Sequence, residues 1–371
     1  MPLIVATHLA DALVFIIVIS VLILVHEIGH LLAAKIIGVG VEEFGLGLPP
    51  RITGKKIRGI LYSINWLPVG GFVRLSGEDE ENPPEHPGAH EKKFFWARSA
   101  SERTVILLAG VFMNFILAVL LTAYLFVGGL RVPSHRVTVV EVQQDTPAEA
   151  VGVMVGDVIA DVLSQDATGT RTTMHIGTAL DLQAATRANL GREITLVVTR
   201  GSETVSLSVV PRTEWPGDQG PMGIRMEDSE VVRYSWWRAP WEALRLNVER
   251  LGEVLVSLGS IISRLFKHES VAQDVAGPIR IAQVTSYATR VGFRAIVELM
   301  SIISINLAVL NVLPIPALDG GRLFFILIEK VTRRRVRPSF ERFSHQIGMI
   351  LLLALVLLIS INDIVLIARG S

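Results

Sequence analysis

The sequence predicts a polytopic α-helical membrane protein: four transmembrane helices, a membrane-associated β-hairpin or sheet region, and one extracytoplasmic α+β domain. Three observations carry this reading. Half of the 371 residues are apolar and only 19% are charged, and the apolar ones gather in runs of about 20, enough for a helix to cross a bilayer. Lys and Arg cluster in two of the connecting segments, which favours a cytoplasmic place for both. The long segment 131–290 instead mixes short strand-like and helix-like patterns that suit a domain in water. Basic and acidic residues balance at 35 each, so a nucleic-acid partner has no electrostatic support. With no cysteine, disulfides, thiolate nucleophiles and zinc–thiolate sites are excluded. A metal would have to be held by His, Asp or Glu.

Residues 1–38 contain the first predicted span, about 13–37, interrupted by a His-Glu-Ile-Gly-His cluster and Lys35. Its apolar core is too long for a signal peptide, no Lys or Arg precedes it and no small-residue cleavage site follows, so it reads as a retained span. The second span is 104–130. The third, about 295–313, lies in the segment 293–324, and the fourth, about 347–367, lies in 346–371. Segment 39–103 carries Arg51, Lys55, Lys56, Arg58, Lys92, Lys93, Arg98 and Arg103, and segment 325–345 carries Lys330, Arg333, Arg334, Arg335, Arg337 and Arg342. The first twelve residues have neither Lys nor Arg, and the C-terminal tail has only Arg369. Both termini and residues 131–290 are therefore expected outside, the two basic segments inside, in a cytoplasmic membrane.

Residues 40–76 alternate short apolar and polar runs separated by Gly and Pro, the pattern of strands and hairpins. They form either a hairpin dipping toward the membrane, shielded by protein, or a small cytoplasmic sheet. The acidic, Pro-rich stretch that follows reads as a solvated linker. His86 and His90 within it are four apart, but the prolines argue against a helix that would align them. Residues 134–213 contain strand-like RVTVVEV, REITLVVTRG and LSVVP around helix-like LDLQAATRAN. The segment TPAEAVGVMVGDVIADV resembles the PDZ signature, and a PDZ domain takes an extended peptide by strand addition, or serves here as a spacer. Within 214–292, Trp236, Trp237 and Trp241 precede apolar residues at helical spacing, from Leu244 through Val248, Leu251, Leu255 and Leu258 to Ile262. This reads as an amphipathic helix on the outer surface. Glu249, Arg250 and Glu253 disfavour a fifth span.

The chemistry centres on His26-Glu27-Ile28-Gly29-His30. Histidines at i and i+4 share one helix face and can reach one tetrahedral Zn²⁺, with Glu27 next in line to hold and deprotonate water. Zinc lowers the pKa of that water from about 16 to about 7. Three ionisable side chains in an apolar span signal function, whereas the same motif on a soluble helix can be merely solvated. A catalytic zinc usually takes a third protein ligand, and Asp319 is the candidate. Pro314 and Pro316 break the third span before it, and Gly320 and Gly321 free the backbone after it. Asn306 and Asn311 either donate to a scissile carbonyl and its oxyanion or bond neighbouring helices.

HEIGH in the first span and NVLPIPALDGG in the third resemble the two signatures of the site-2 protease family of intramembrane metalloproteases. The order of parts is similar to its bacterial RseP type, and GGFVRLSGED, LAGVFMNF and VAGPIRIAQ support the likeness. The resemblance implies Zn²⁺ on His26, His30 and Asp319, Glu27 as catalytic acid/base, and Asn311 assisting. It also implies a hairpin beside the substrate path, with Gly70, Gly71 and Phe72, together with Asn306, Pro314 and Pro316, against the substrate. Implied substrates are single-pass membrane proteins, such as an anti-sigma factor after a first cleavage, or remnant signal peptides. Two departures stand out: Val111 occupies a place where many relatives have proline, and one PDZ-like segment is present where the enterobacterial form has two. The rival readings are an HExxH protease cutting at a soluble face, a non-catalytic PDZ scaffold with a structural metal, and a zinc transporter.

Overall fold

The computed structural model describes residues 2–78, 93–165, 171–217, 219–267, 269, 277–334, 336 and 338–368. The linker with His86 and His90, and the start of VAGPIRIAQ, fall outside these. The chain divides into two compact units, one of Met1–Val127 with Tyr234–Ser371 and one of Gly128–Arg233.

In the first unit, α1 (Pro2–Ile37) leads into β1 (Val41–Ile57) and β2 (Ile60–Leu75), followed by α2 (Ala100–Gly128). After the second unit come α5 (Ala239–Phe266), α6 (Pro278–Val291), α7 (Phe293–Val312), α8 (Asp319–Thr332) and α9 (Pro338–Ala368). Among the described residues four helices are long and apolar enough to cross a membrane: Ala10–Ile37, Ala100–Gly128, Phe293–Val312 and Ser339–Ala368. Residues on α9 such as Ile350, Leu351, Leu357 and Leu358 are exposed, an arrangement that suits hydrocarbon rather than water.

Packing follows from small and polar residues set among the apolar ones. Val18 and Leu22 of α1 bury against Ile303 of α7. Thr122 on α2 and Ser301 on α7 stand 2.8 Å apart, and Ser304 donates to the Asn114 carbonyl at 2.8 Å, hydrogen bonds that join helices where lipid supplies no partner.

β1 and β2 pair antiparallel around Arg58 and Gly59, both at positive φ, as a tight two-residue hairpin turn requires. Residues 43–46 of β1 sit beside both 71–74 and 61–64 of β2, so the first half of β1 lies between two stretches of its partner. The sheet is anchored: Val41, Ile60 and Leu75 share a buried cluster with Leu31 and Ala34 of α1, Ile106 and Leu107 of α2, and Ile326 of α8.

Three features differ from the sequence expectation. The segment 325–345, expected as a basic loop, is mostly helix, leaving only 333–337 between α8 and α9. Apolar residues in RLFFILIEKVT recur at helical spacing, and Phe325 and Ile326 are buried. Helix α6 went unanticipated because its sequence is weakly apolar. Its start is held from outside: the buried Asp363 of α9 accepts from the Gly277 and Arg280 amides at 3.4 and 3.1 Å.

The second unit is a sheet in the order β7-β6-β4-β3-β8, with β5 on β4. Its strands are β3 (Leu130–Val142), β4 (Val158–Gln165), β5 (Arg171–His175), β6 (Ile194–Arg200), β7 (Glu203–Val209) and β8 (Ile224–Val232), with helices α3 (Pro147–Ala150) and α4 (Ala179–Ala188). Val137, Val139, Ile159, Leu182, Leu196 and Val198 form its core, and Thr178 and Asp181 close a capping box on α4. The unit exceeds 134–213 because β8 returns to pair with β3, from Leu130↔Val232 to Val142↔Ile224. The polar run IRMEDSEVV of this edge strand shows no clean alternation, so it went unread.

Asp157 is buried and accepts from Arg200 Nε and Nη2, both at 2.8 Å, and from the Met154 amide at 2.9 Å. These contacts, Arg200 foremost, hold its carboxyl below the ordinary value of 3.8. The stabilisation is thus present above that value and lost as pH falls through the folded pKa. In the full chain, Asp157→Asn is expected to lower hydrogen-exchange protection of β4 and β6 by about 2 kcal/mol at pH 7. The gap from wild type should close below about pH 4; a pH-independent gap would show that the charge is not its cause.

Candidate metal centre

One turn of α1 separates His26 from His30, and their Nε2 atoms stand 3.0 Å apart. Asp319 Oδ2 lies 2.9 Å from His26 Nε2 and 3.2 Å from His30 Nε2. The His30 ring is oriented from behind: its Nδ1–H donates to the Ile106 carbonyl at 2.9 Å, which leaves Nε2 to face the other two donors. Both imidazoles are buried.

Asp319 reaches them from the opposite end of the chain because the third span breaks. Helix α7 stops at Val312, and α8 starts at Asp319 with Leu318 at its N-cap. Between them Ala317 takes φ +81°. A methyl group at Gly320 would run into the Leu313 carbonyl, and one at Gly321 would lie 2.6 Å from the Ile315 carbonyl. The two glycines therefore let the start of α8 close onto the break that precedes it.

Helix α2 walls the site just as tightly. A Cβ at Gly29 would strike the Ala109 carbonyl, and one at Gly110 would sit 2.5 Å from His30 Nε2 and 2.7 Å from His26 Cε1. Gly110 belongs to the LAGVFMNF segment, so this glycine is needed for the two imidazoles to fit.

Two imidazole nitrogens and one carboxylate oxygen, converging with no intervening side chain, match the donor set of a catalytic zinc. Ligands about 2.0–2.2 Å from a tetrahedral zinc stand roughly 3.3 Å from one another, close to the separations here. Glu27 is next to this set and takes a backbone hydrogen bond from Val73.

A cavity of about 410 Å³ opens beside the donors, lined by Glu27, His30 and Asp319, and by Gly71, Phe72 and Val73 of β2. The strand runs along the span: Ser20 of α1 donates to the Pro68 carbonyl at 2.9 Å, and a Cβ at Gly71 would lie 3.6 Å from Glu27 Cγ.

The structure thus brings His26, Glu27, His30, Asp319, Gly71 and Phe72 together. Gly70 is buried one residue away at φ +91°, where a Cβ would lie 3.7 Å from Leu48 Cγ and 3.9 Å from Ile23 Cδ1. Asn306 and Asn311 on α7, and Pro314 and Pro316 in the break, do not line the cavity. Lining residues that sequence reasoning did not single out for the site include Glu78, Arg322, His345 and Met349. Arg322 and Glu78 form an ion pair, linking α8 to the end of β2. The signal for Arg322 was its place one turn after Asp319; His345 had no motif at all.

Residues 14–355 match peptidase family M50. The chain is 30% identical over 351 residues to a candidate zinc metalloprotease of Clostridium acetobutylicum, covering 93% of this chain and 95% of that one. It is 28% identical to a second, from Clostridium perfringens, over 93% and 96% of the two chains. It is also 27% identical to the zinc metalloprotease RasP of Oceanobacillus iheyensis, over 94% and 97%.

Gly110→Ala is expected to push both imidazoles apart and leave the purified protein with well under half of the wild-type zinc per chain. Metal analysis by atomic emission checks this; full occupancy would mean that α2 does not set the donor geometry.

Proposed function

The chain belongs to peptidase family M50, the site-2 protease family, and on that premise we propose that it cuts single-pass membrane proteins within the bilayer, with zinc on His26, His30 and Asp319. It is a membrane-embedded zinc metalloprotease of a family that acts on membrane-protein substrates. The observation that carries the finer reading is the place of the donors. His26 and His30 lie within a span-length helix, and a strand of extended backbone runs beside them at the same depth.

Bound zinc would polarise the scissile carbonyl and acidify water. The remaining steps belong to the chain. Glu27 faces the cavity beside the donors, so its carboxylate takes the proton of the attacking water and returns it to the leaving amine. A transmembrane substrate must first lose helical hydrogen bonds, and an extended stretch pairing with the edge near Gly71–Val73 replaces them. Exposed Leu48, Trp66 and Leu67 near the bends of the hairpin suit contact with lipid rather than water. Asn311, half-buried at the end of α7, is proposed to assist from the substrate side, not from within the cavity.

The two basic segments support an orientation with the active end of α1 toward the cytoplasm of a bacterial cell and both termini and the second unit outside. That second unit is read as a PDZ domain. Its edge strand β8 ends the sheet order, and a cleft of about 240 Å³ lies between α4 and the start of β8, lined by Gln183, Arg187, Gly220 and Met226. A peptide strand added there would report whether the outer part of a substrate has been trimmed, as for an anti-sigma factor after a first cut.

Two outcomes test this. Glu27→Gln should keep its zinc yet lose cleavage of a single-pass reporter in detergent by a factor of at least about 100; retained cleavage would rule out the mechanism. Replacing 128–233 with a flexible linker should allow untrimmed substrates to be cut, measured by reporter fragments in cells. Unchanged selectivity would sink the gating role.

A further inference from the structure

Asp319 depends on the break 313–318 keeping one shape, and that shape is held partly by α9. Ala317, two residues before Asp319, sits at φ +81°, a left-handed conformation that side chains other than glycine rarely adopt. Its amide donates to His345 Nδ1 on α9 at 3.0 Å. The His345 ring also packs beside Phe325 of α8, with centroids 6.1 Å apart. One turn further along α9, a methyl group at Gly348 would run into Pro316. A single face of α9 therefore supplies an acceptor to the break at Ala317 and a gap for it at Pro316.

We infer that His345 is a positioning residue for zinc binding, fixing the Ala317 amide so that Asp319 meets His26 and His30. The inference rests on Asp319 being a zinc ligand. An apolar side chain at 345 removes the acceptor in a water-poor setting, and the break then relaxes toward conformations that carry the carboxylate away. Asparagine is the conservative replacement, because its Oδ1 lies where Nδ1 of the imidazole does and can accept the same bond.

The test uses the full chain in detergent, with zinc affinity read by competition against a chelator and donor geometry read by the visible spectrum of the Co²⁺-substituted protein. His345→Leu should bind zinc about 10-fold more weakly, with a shifted Co²⁺ spectrum. His345→Asn should stay close to wild type in both, and Gly348→Ala, which displaces Pro316, should weaken binding as His345→Leu does. Wild-type affinity and spectrum in His345→Leu, or an Asn variant no better than Leu, would overturn the inference. Asp319→Ala is the reference: if it binds zinc like wild type, the ligand assignment itself fails. If it loses zinc while His345→Leu does not, only the role of His345 fails. Should His345→Leu not fold, the pair His345→Asn and Gly348→Ala decides, and any result other than zinc kept in the first and weakened in the second overturns the inference.

Discussion

The centre of this protein depends on a carboxylate from residue 319 meeting two imidazoles of α1 at 2.9 and 3.2 Å. Nothing local brings them together. The two histidines come free with one helical turn, but the aspartate must cross to them from a different span. That requirement accounts for most of the unusual backbone nearby. The third span is broken at 313–318, and a new helix begins at Asp319 itself. Gly320 and Gly321 let that helix start close to the break, and Gly29 and Gly110 let α2 come close behind the imidazoles. A Cβ at any of these would come within 3.0 Å of backbone or imidazole atoms, so the packing around His26, His30 and Asp319 would have to shift.

The hairpin answers a second constraint, that buried backbone polar groups must be satisfied. Its strands pair with each other along most of their length, and its base is buried in the same cluster that holds α1, α2 and α8. Extended backbone can therefore run beside Ser20 and Glu27 without standing alone. The stretch at Gly71 and Phe72 is where pairing and cavity meet.

How much of this was legible in the sequence depended on whether the signal was periodic, chemical or spatial. The long apolar helices are dense, nearly unbroken apolar runs, so they were readable to within several residues. HEIGH and Asp319 were readable because ionisable groups are costly in an apolar run, and because proline and glycine mark where a helix must stop. The pairing of His30 with Ile106, the fit of Gly110 between the imidazoles and the acceptor role of His345 were not. Each joins residues that are distant in the chain and ordinary in composition. Strand β8 was missed for a different reason: an edge strand carries polar residues on both faces, so it lacks the alternation that marks a half-buried strand. Asn306 and Asn311 drew a functional reading because they are polar residues in an apolar span; the cavity beside His30 and Asp319 is lined without them.

Helix α9 shows how a span that mostly faces outward can still matter to the site. Its apolar side chains are largely exposed, so packing alone constrains it weakly. Two polar contacts take over that task. His345 accepts from the Ala317 amide near one end, and Asp363 accepts from the Gly277 and Arg280 amides near the other. They are separated by about 27 Å of helix at 1.5 Å per residue, close to the thickness of the hydrocarbon layer. Both partners are amides at a helix start or a helix break, groups that no intrahelical bond satisfies. Each contact therefore removes an orphan donor and fixes one end of α9 in the same step. A span pinned in this way can slide or tilt only by giving up hydrogen bonds at one of these two contacts, and one contact lies two residues from Asp319.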